Sequence, residues 1–202
     1  MTSPTKPADK ALKRLPEIRI LGLDPGFANF GWSIVTGPSI SKLRVVELGC
    51  FETVKSDKKM NVLDADDDFR RVKLLSRFVH HLHDEWAFAM VCAETLSPPR
   101  SSTVAKKMGM VWGMLADFCQ VSAMPMVQAT PKQIKTELCP GKGKPTDKML
   151  HAAVRKRYPN AGQLMKESLP TKETKHEHPY DSLGAVEVCK SSDLMLTLFR
   201  RR

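Results

Sequence analysis

Long apolar runs are absent from this chain of 202 residues. The longest, such as Phe88–Ala93, are only a few residues, against the roughly 20 that a bilayer span needs. A helical membrane protein is thereby excluded. Paired cysteines are missing too. Cys50, Cys92, Cys119, Cys139 and Cys189 are odd in number, stand singly in mostly apolar stretches and form no CxxC pair. They read as reduced thiols, not a disulfide framework or a zinc site, and point to a reducing, cytoplasmic setting. The polar stretch 1–17 has no apolar h-region of a secretory signal. With Lys6, Lys10, Lys13 and Arg14 it reads as a disordered basic arm ahead of one domain over 18–202. Acidic charge is in deficit: 22 Asp and Glu against 32 Lys and Arg leave +10. That sign favours a polyanionic partner, nucleic acid first. No internal repeat or low-complexity block is present, and 42% hydrophobic residues with 27% charged describe a folded protein.

What is present is an ordered series of elements. Ile18–Leu23 ends in the turn Asp24-Pro25-Gly26, and Gly31–Val35 and Leu43–Phe51 follow across Gly37-Pro38. These are three strands in a meander. Over Asp66–Trp86, Phe69, Val72, Leu75, Val79, Leu82 and Trp86 recur every three or four residues, one face of an amphipathic helix. His80, His81 and His83 fall off that face. Phe88–Ala93 predicts a buried strand ending at Glu94. Thr103–Gln120 is helical, with Val104, Met108, Val111, Leu115 and Phe118 inward. Pro125–Ala129 is a strand with an edge-like start, and Thr130-Pro131 caps a short helix. A loop, Cys139–Lys144, precedes a basic helix from Thr146 to Tyr158, stopped by Pro159. Asn160–Glu177 reads as a long mobile loop, and a last helix runs from Pro179 to Arg200–Arg202. The sum is an α/β domain of three layers: a mixed central sheet, antiparallel meander plus parallel strands, with helices on both faces.

Two of those strands lie side by side and end in an acid, Asp24 and Glu94. Ligands of open α/β sheets bind outside strand carboxyl ends, and two carboxylates there can share divalent cations. In His178-Pro179-Tyr180-Asp181, Pro179 at the first helical position sets His178 at the cap and Asp181 three residues on, projecting to the same side. No Ser/His/Asp triad competes. Gly141-Lys142-Gly143-Lys144 lacks the following Ser/Thr and the preceding strand of a P-loop.

Together these pieces resemble the RuvC-type Holliday junction resolvases of the RNase H-like nuclease superfamily. Ile20-Leu21-Gly22-Leu23-Asp24-Pro25-Gly26, with Gly31 opening the next strand, is similar to the first motif, and Glu94 matches the second acid. Lys106–Ala116, with Gly109 and Gly113, is similar to the helix that follows. Thr130–Lys135 and Gly141–Lys144, leading into Lys148, match the DNA-facing segment, and His178-x-x-Asp181-Ser-Leu-Gly-Ala the final motif. The resemblance covers residues 18–190 in order. It implies an RNase H-like fold, a homodimer, and two Mg²⁺ or Mn²⁺ ions held by Asp24, Glu94, His178 and Asp181. It further implies DNA contacts from Lys132, Lys135, Lys142, Lys144 and Lys148, with Arg155, Lys156 and Arg157 adding charge. One departure stands out. Where members carry an aromatic three residues after the second acid, this chain has Ser97, followed by Pro98 and Pro99.

The implied activity is a structure-selective endonuclease that resolves four-way junctions by paired nicks. A nuclease of wider range on forks and flaps, a non-catalytic RNase H-like binding module and a hybrid-directed ribonuclease stay open at this point. The Met cluster of Met108, Met110, Met114, Met124 and Met126 is expected in the core and at a dimer interface on the Thr103–Gln120 helix.

Overall fold

Side chains of a strand alternate between faces, and in β1 (Ile18–Pro25) this sorts the core into two halves. Ile18 and Ile20 enter one cluster, Leu21 and Leu23 the other. The same parity runs through β2 (Asn29–Gly37), with Phe30, Trp32 and Ile34 on one side and Val35 on the other. The computed structural model describes residues 17–95, 101–141, 143–169, 175 and 177–200. The basic arm over 1–16, Ser97, Lys142 and the end of the chain at 201–202 lie outside them.

Five strands form one sheet in the order β3-β2-β1-β4-β5. The meander β1, β2 and β3 (Arg44–Glu52) is antiparallel. Beyond β1, the strands β4 (Val91–Glu94) and β5 (Met126–Ala129) run parallel to it. The crossovers are α1 (Asp64–Trp86) and α2 (Ser102–Val121), which cover the face of Leu21 and Leu23. The opposite face carries α3 (Pro131–Leu138), α4 (Asp147–Arg157), α5 (Ala161–Ser168), α6 (Glu177–Cys189) and α7 (Asp193–Arg200). This is the three-layer mixed sheet that the sequence predicts. Among the described residues no helix is long and apolar enough to cross a membrane.

Local signals act as expected at several ends. Thr130 caps α3 through a reciprocal capping box with Gln133, and Thr146 caps α4. Elsewhere the structure corrects the expectation. Only Val91–Glu94 of the run from Phe88 is regular strand, although Ala89 N–H still donates to Arg19 O at 2.8 Å. The loop expected over 160–177 contains α5, whose Ala161, Leu164 and Met165 pack one apolar side against the core. α6 begins at Glu177, so His178 sits inside its first turn instead of capping it. Pro179 is tolerated there because the first N–H groups of a helix have no partner to lose. The final helix is two. Ser191 and Ser192 donate their hydroxyls to Val188 O and Cys189 O, and Ser192 Oγ accepts from Met195 N–H, so the serines close α6 and open α7.

On α1, Phe69 is 61% exposed rather than in the core. His80 and His83 instead pack edge-on against Phe118, with ring centroids 5.0 and 5.8 Å away. On α2, Val111, Leu115 and Phe118 are buried as expected, but Val104 is exposed. Met108, Met114, Met124 and Met126 join the core on this face. The cysteines form no disulfide; Cys92, Cys139 and Cys189 are buried.

Helix α6 lies close against the sheet. A Cβ on Gly22 would stand 2.5 Å from Ser33 Oγ and 2.7 Å from Ser182 O. Gly22→Ala should therefore destabilise the protein by about 1–3 kcal/mol, the usual cost of overpacking. Gly109→Ala on α2, where nothing lies within 4 Å, should instead be neutral or stabilising by up to roughly 1 kcal/mol. Chemical denaturation of both variants checks the pair; equal midpoints would refute the packing argument.

Candidate active site

Strand parity carries Asp24 to the face covered by α6, since it follows Ile20 and Gly22 in alternation. Leu23 pairs with Ala93 across the parallel β1–β4 contact. Glu94 is thus on the next rung beside Asp24, on a strand about 4.8 Å away. The two acids of the strand ends are neighbours, as the sequence predicts.

The first turn of α6 supplies the other two groups. Gly31 lets the helix start come down on β2, since a Cβ there would stand 2.4 Å from His178 O. His178 Nδ1 lies 2.7 Å from Asp24 Oδ2, each side chain 20% exposed. Glu177 Oε1 approaches His178 Nε2 at 3.7 Å. Asp181, one turn on from His178, faces the same edge.

The electrostatics reflect this crowding. Burial and the charges of Asp181 and Asp24 push the Glu94 carboxyl up to about 8, with Lys135 opposing. Burial also raises Asp181, against the pull of His151. Burial alone would lower His178, but its hydrogen bond to Asp24 and that charge raise it. These are the shifts of like charges held together in a poorly solvated place.

His151 is the residue that sequence reading missed. Its ring stacks on Tyr180 at 4.9 Å, and its buried Nε2, without a hydrogen bond, lies 3.8 Å from Asp181 Oδ1. The available sign was its place on the buried stripe of α4, a polar residue between Leu150 and Val154.

The basic segment is only partly free. Lys132, Lys144 and Lys148 are exposed. Lys135 pairs with Asp147 at 3.0 Å. Arg157 reaches Glu187 at 3.4 Å, and Arg155 lies over the Tyr180 ring at 5.5 Å. These two arginines hold α4 to α6 and are not simply a charged face. Lys142 and Ser97 lie outside the described residues.

Among the described residues, no three His, Cys, Asp or Glu side chains close round a single point as a metal shell; Asp24 is engaged by His178 instead. The donor chemistry nevertheless fits a hard divalent cation: carboxylate oxygens with one imidazole, and a net negative charge that burial makes costly.

No protein-family model matches the chain. It is similar to crossover junction endodeoxyribonuclease RuvC of Thermomicrobium roseum, with 30% identity over 118 residues, 58% of this chain and 66% of that one. It is also similar to the RuvC of Endomicrobium trichonymphae, with 23% identity over 119 residues, 59% of this chain and 58% of that one. The match thus spans less than two thirds of either curated relative. Solved structures share the fold. Thermus thermophilus RuvC, determined in complex with a Holliday junction substrate, superposes with a TM-score of 0.61 at 18% identity. That superposition covers 85% of this chain and 91% of the other. The yeast mitochondrial Holliday junction resolvase Ydc2 gives 0.62 at 14% identity, covering 94% and 86%.

The raised Glu94 carboxyl makes a test of the site in the metal-free protein. The folded state keeps a proton that the unfolded chain releases between about 4.5 and about 8. Without divalent cation, Glu94 should make stability fall as pH rises through that window, its own share being at most roughly 1.4 kcal/mol per pH unit. Glu94→Gln should flatten the slope. Thermal melts in EDTA across the window measure it, and parallel slopes in the two proteins would remove Glu94 from the cluster.

Proposed function

We propose, from the premise that the chain is RuvC-like in sequence and fold, that it is a metal-dependent, structure-selective DNA endonuclease. In this reading it resolves four-way junctions by paired symmetric nicks, as a homodimer. The observation that carries the reading is the convergence of Asp24, Glu94 and Asp181, with His178, on one edge of the sheet.

Each group has a part. Asp24, Glu94 and Asp181, with His178, would hold two Mg²⁺ or Mn²⁺ ions. Such a pair, when bound, activates water and stabilises the charge that develops on a scissile phosphodiester. His178 orients Asp24 through its Nδ1, and His151 stands behind Asp181. Lys132, Lys135, Lys144 and Lys148, with Lys142, bring the anionic backbone to that edge and fix its register; such contacts position without reading sequence. A two-fold dimer supplies two sites for two cuts. The outer side of α2 is the face proposed for it.

One sequence observation favours a wider substrate range. Ser97 offers no face for a base, where an aromatic stack is worth about 1–3 kcal/mol. Forks and flaps then become competitive with four-way junctions.

The test is cleavage of synthetic junction, fork, flap, RNA–DNA hybrid and linear duplex in Mg²⁺ and in Mn²⁺. Asp24→Asn, Glu94→Gln and Asp181→Asn should each cut junctions more than a hundredfold slower, beyond the roughly 10–100-fold loss of an outer partner. Junction binding should persist, because the lysines are untouched. Residual cutting near the wild-type rate, or equal cutting of linear duplex, would sink the proposal.

A further inference from the structure

The proposed chemistry uses the sheet edge and the α3–α4 side and leaves the outer face of α1 without a role. Asp66, Phe69, Arg70, Lys73, Leu74 and Arg77 line a shallow groove of about 180 Å³ along this helix. Their spacing is that of one helical stripe, three turns long. It is not the stripe that holds the core, which is Arg71, Leu75, Val79 and Leu82. Phe69 is 61% exposed, with Lys73 Nζ 5.8 Å from its ring centroid. Exposed Val54 and Leu63 adjoin it, and Arg70 Nη2 donates to Val54 O at 2.7 Å. Arg70 is held by Asp67, but Lys73 and Arg77 make no ion pair among the described residues.

The stripe begins at the edge that carries Asp24. Glu52, the last residue of β3, pairs with Asn29 there. Arg71 Nε donates to Thr53 Oγ1 at 2.9 Å, and Thr53 Oγ1 donates to the carbonyl of Phe27, three residues beyond Asp24. The lysines of α3 and α4 flank the same edge from the opposite face of the sheet. The α1 stripe therefore starts close to the edge at which Asp24 lies.

We propose that the outer stripe of α1 is a second nucleic-acid contact, resting on the endonuclease reading above. Lys73 and Arg77 take backbone phosphates, and Phe69 takes the face of a base or sugar from the strand leaving the site. Cations interleaved with an exposed aromatic are the elements of sequence-tolerant strand binding.

The experiment measures binding of the full chain to a four-way junction over a salt series, without divalent cation. Phe69→Ala should weaken binding roughly five- to hundredfold. Lys73→Ala with Arg77→Ala should lower the slope of log K against log salt by about 1.8, some 0.9 for each lost phosphate contact. All three positions face solvent, so unchanged circular dichroism and Tm are expected in the variants. Lys144→Ala with Lys148→Ala reports on the other side of the edge. If that pair weakens binding and the α1 variants do not, the α1 contact is refuted while the endonuclease reading stands. If the α1 variants change the oligomeric state but not DNA binding, the stripe is a protein contact and the proposal falls. If the wild-type chain binds no junction, the endonuclease reading itself fails, and this inference with it.

Discussion

The site depends on one close contact, the seating of α6 directly on β1 and β2. Gly22 and Gly31 leave no side chain between helix and sheet, and a Cβ at either would stand within 3 Å of α6 atoms. The room so created is filled by hydroxyls. Ser182 Oγ donates to the carbonyl of Pro179 at 2.8 Å and shares a hydrogen bond with Ser33 Oγ at 2.9 Å, which satisfies buried polar groups that would otherwise be costly. With α6 this low, its first turn arrives level with the end of β1. His178 and Asp181 then face Asp24 without a long side chain to reach it. The parallel register of β4 adds Glu94 on the next rung. Four residues from three distant parts of the chain are thus placed by two backbone relations, one helix-to-sheet and one strand-to-strand.

The opposite face braces the turn that follows Asp24. Phe27 is buried between the Arg71 guanidinium, 4.3 Å from its ring centroid, and Lys107 at 5.2 Å. Arg71 also donates to Thr53 O at 2.9 Å, and Thr53 N–H donates to Ala28 O at 3.0 Å. Asp68 receives Lys106 at 2.9 Å and Lys107 at 3.3 Å. Asp67 accepts from Ser56 and Arg70, which hold its carboxyl well below the usual carboxylate range. A buried ionic network of this kind contributes little net stability relative to well-packed apolar groups. What it adds is a fixed geometry: α1, the start of α2 and the β1–β2 turn are tied together on the far side of the strand that α6 covers. Asp24 is restrained from both faces.

Much of this was legible before the structure, and the reasons are specific. The strands of the meander alternate or are punctuated by Gly and Pro, so their existence and order follow from local pattern. Thr130-Pro131 announces a helix start because a cap acts through residues three apart. That Asp24, Glu94 and the start of α6 meet at one edge is legible, because each ends a strand or opens a helix. Other features depend on what packs where, which local pattern does not carry. α5 is eight residues long, too short for a period to emerge among its polar neighbours. Phe69 fits the spacing of the core stripe of α1 yet falls on the solvent side, because residues spaced 3.6 apart drift around the helix and Arg71 takes the inward place. The basic run on α4 looked uniform. In three dimensions Arg157 answers the buried Glu187 and Arg155 covers Tyr180, while Lys144 and Lys148 stay in water. His151 is the same lesson at the site, since only the fold sets its ring against Tyr180 and its Nε2 toward Asp181.

The distribution of charge bears on why the acids are kept at all. The chain carries ten more positive charges than negative, yet its sheet edge gathers three carboxylates with Lys135 as the opposing charge, itself shared with Asp147. Placed for stability alone, these positions would be better filled by neutral residues of similar shape, because like charges brought together under partial burial oppose folding. Their cost is met only when something positive arrives. The surrounding lysines do not serve that purpose, because Lys132, Lys144 and Lys148 point to water. In the endonuclease reading they raise the local concentration of an anionic backbone instead. Under the proposed function, a negative centre inside a positive surround would separate two tasks on one face: long-range attraction of an anionic backbone, and a short-range demand for cations where that backbone crosses. Neither half explains the other, and a surface serving adhesion alone would gain nothing from three half-buried acids at its centre.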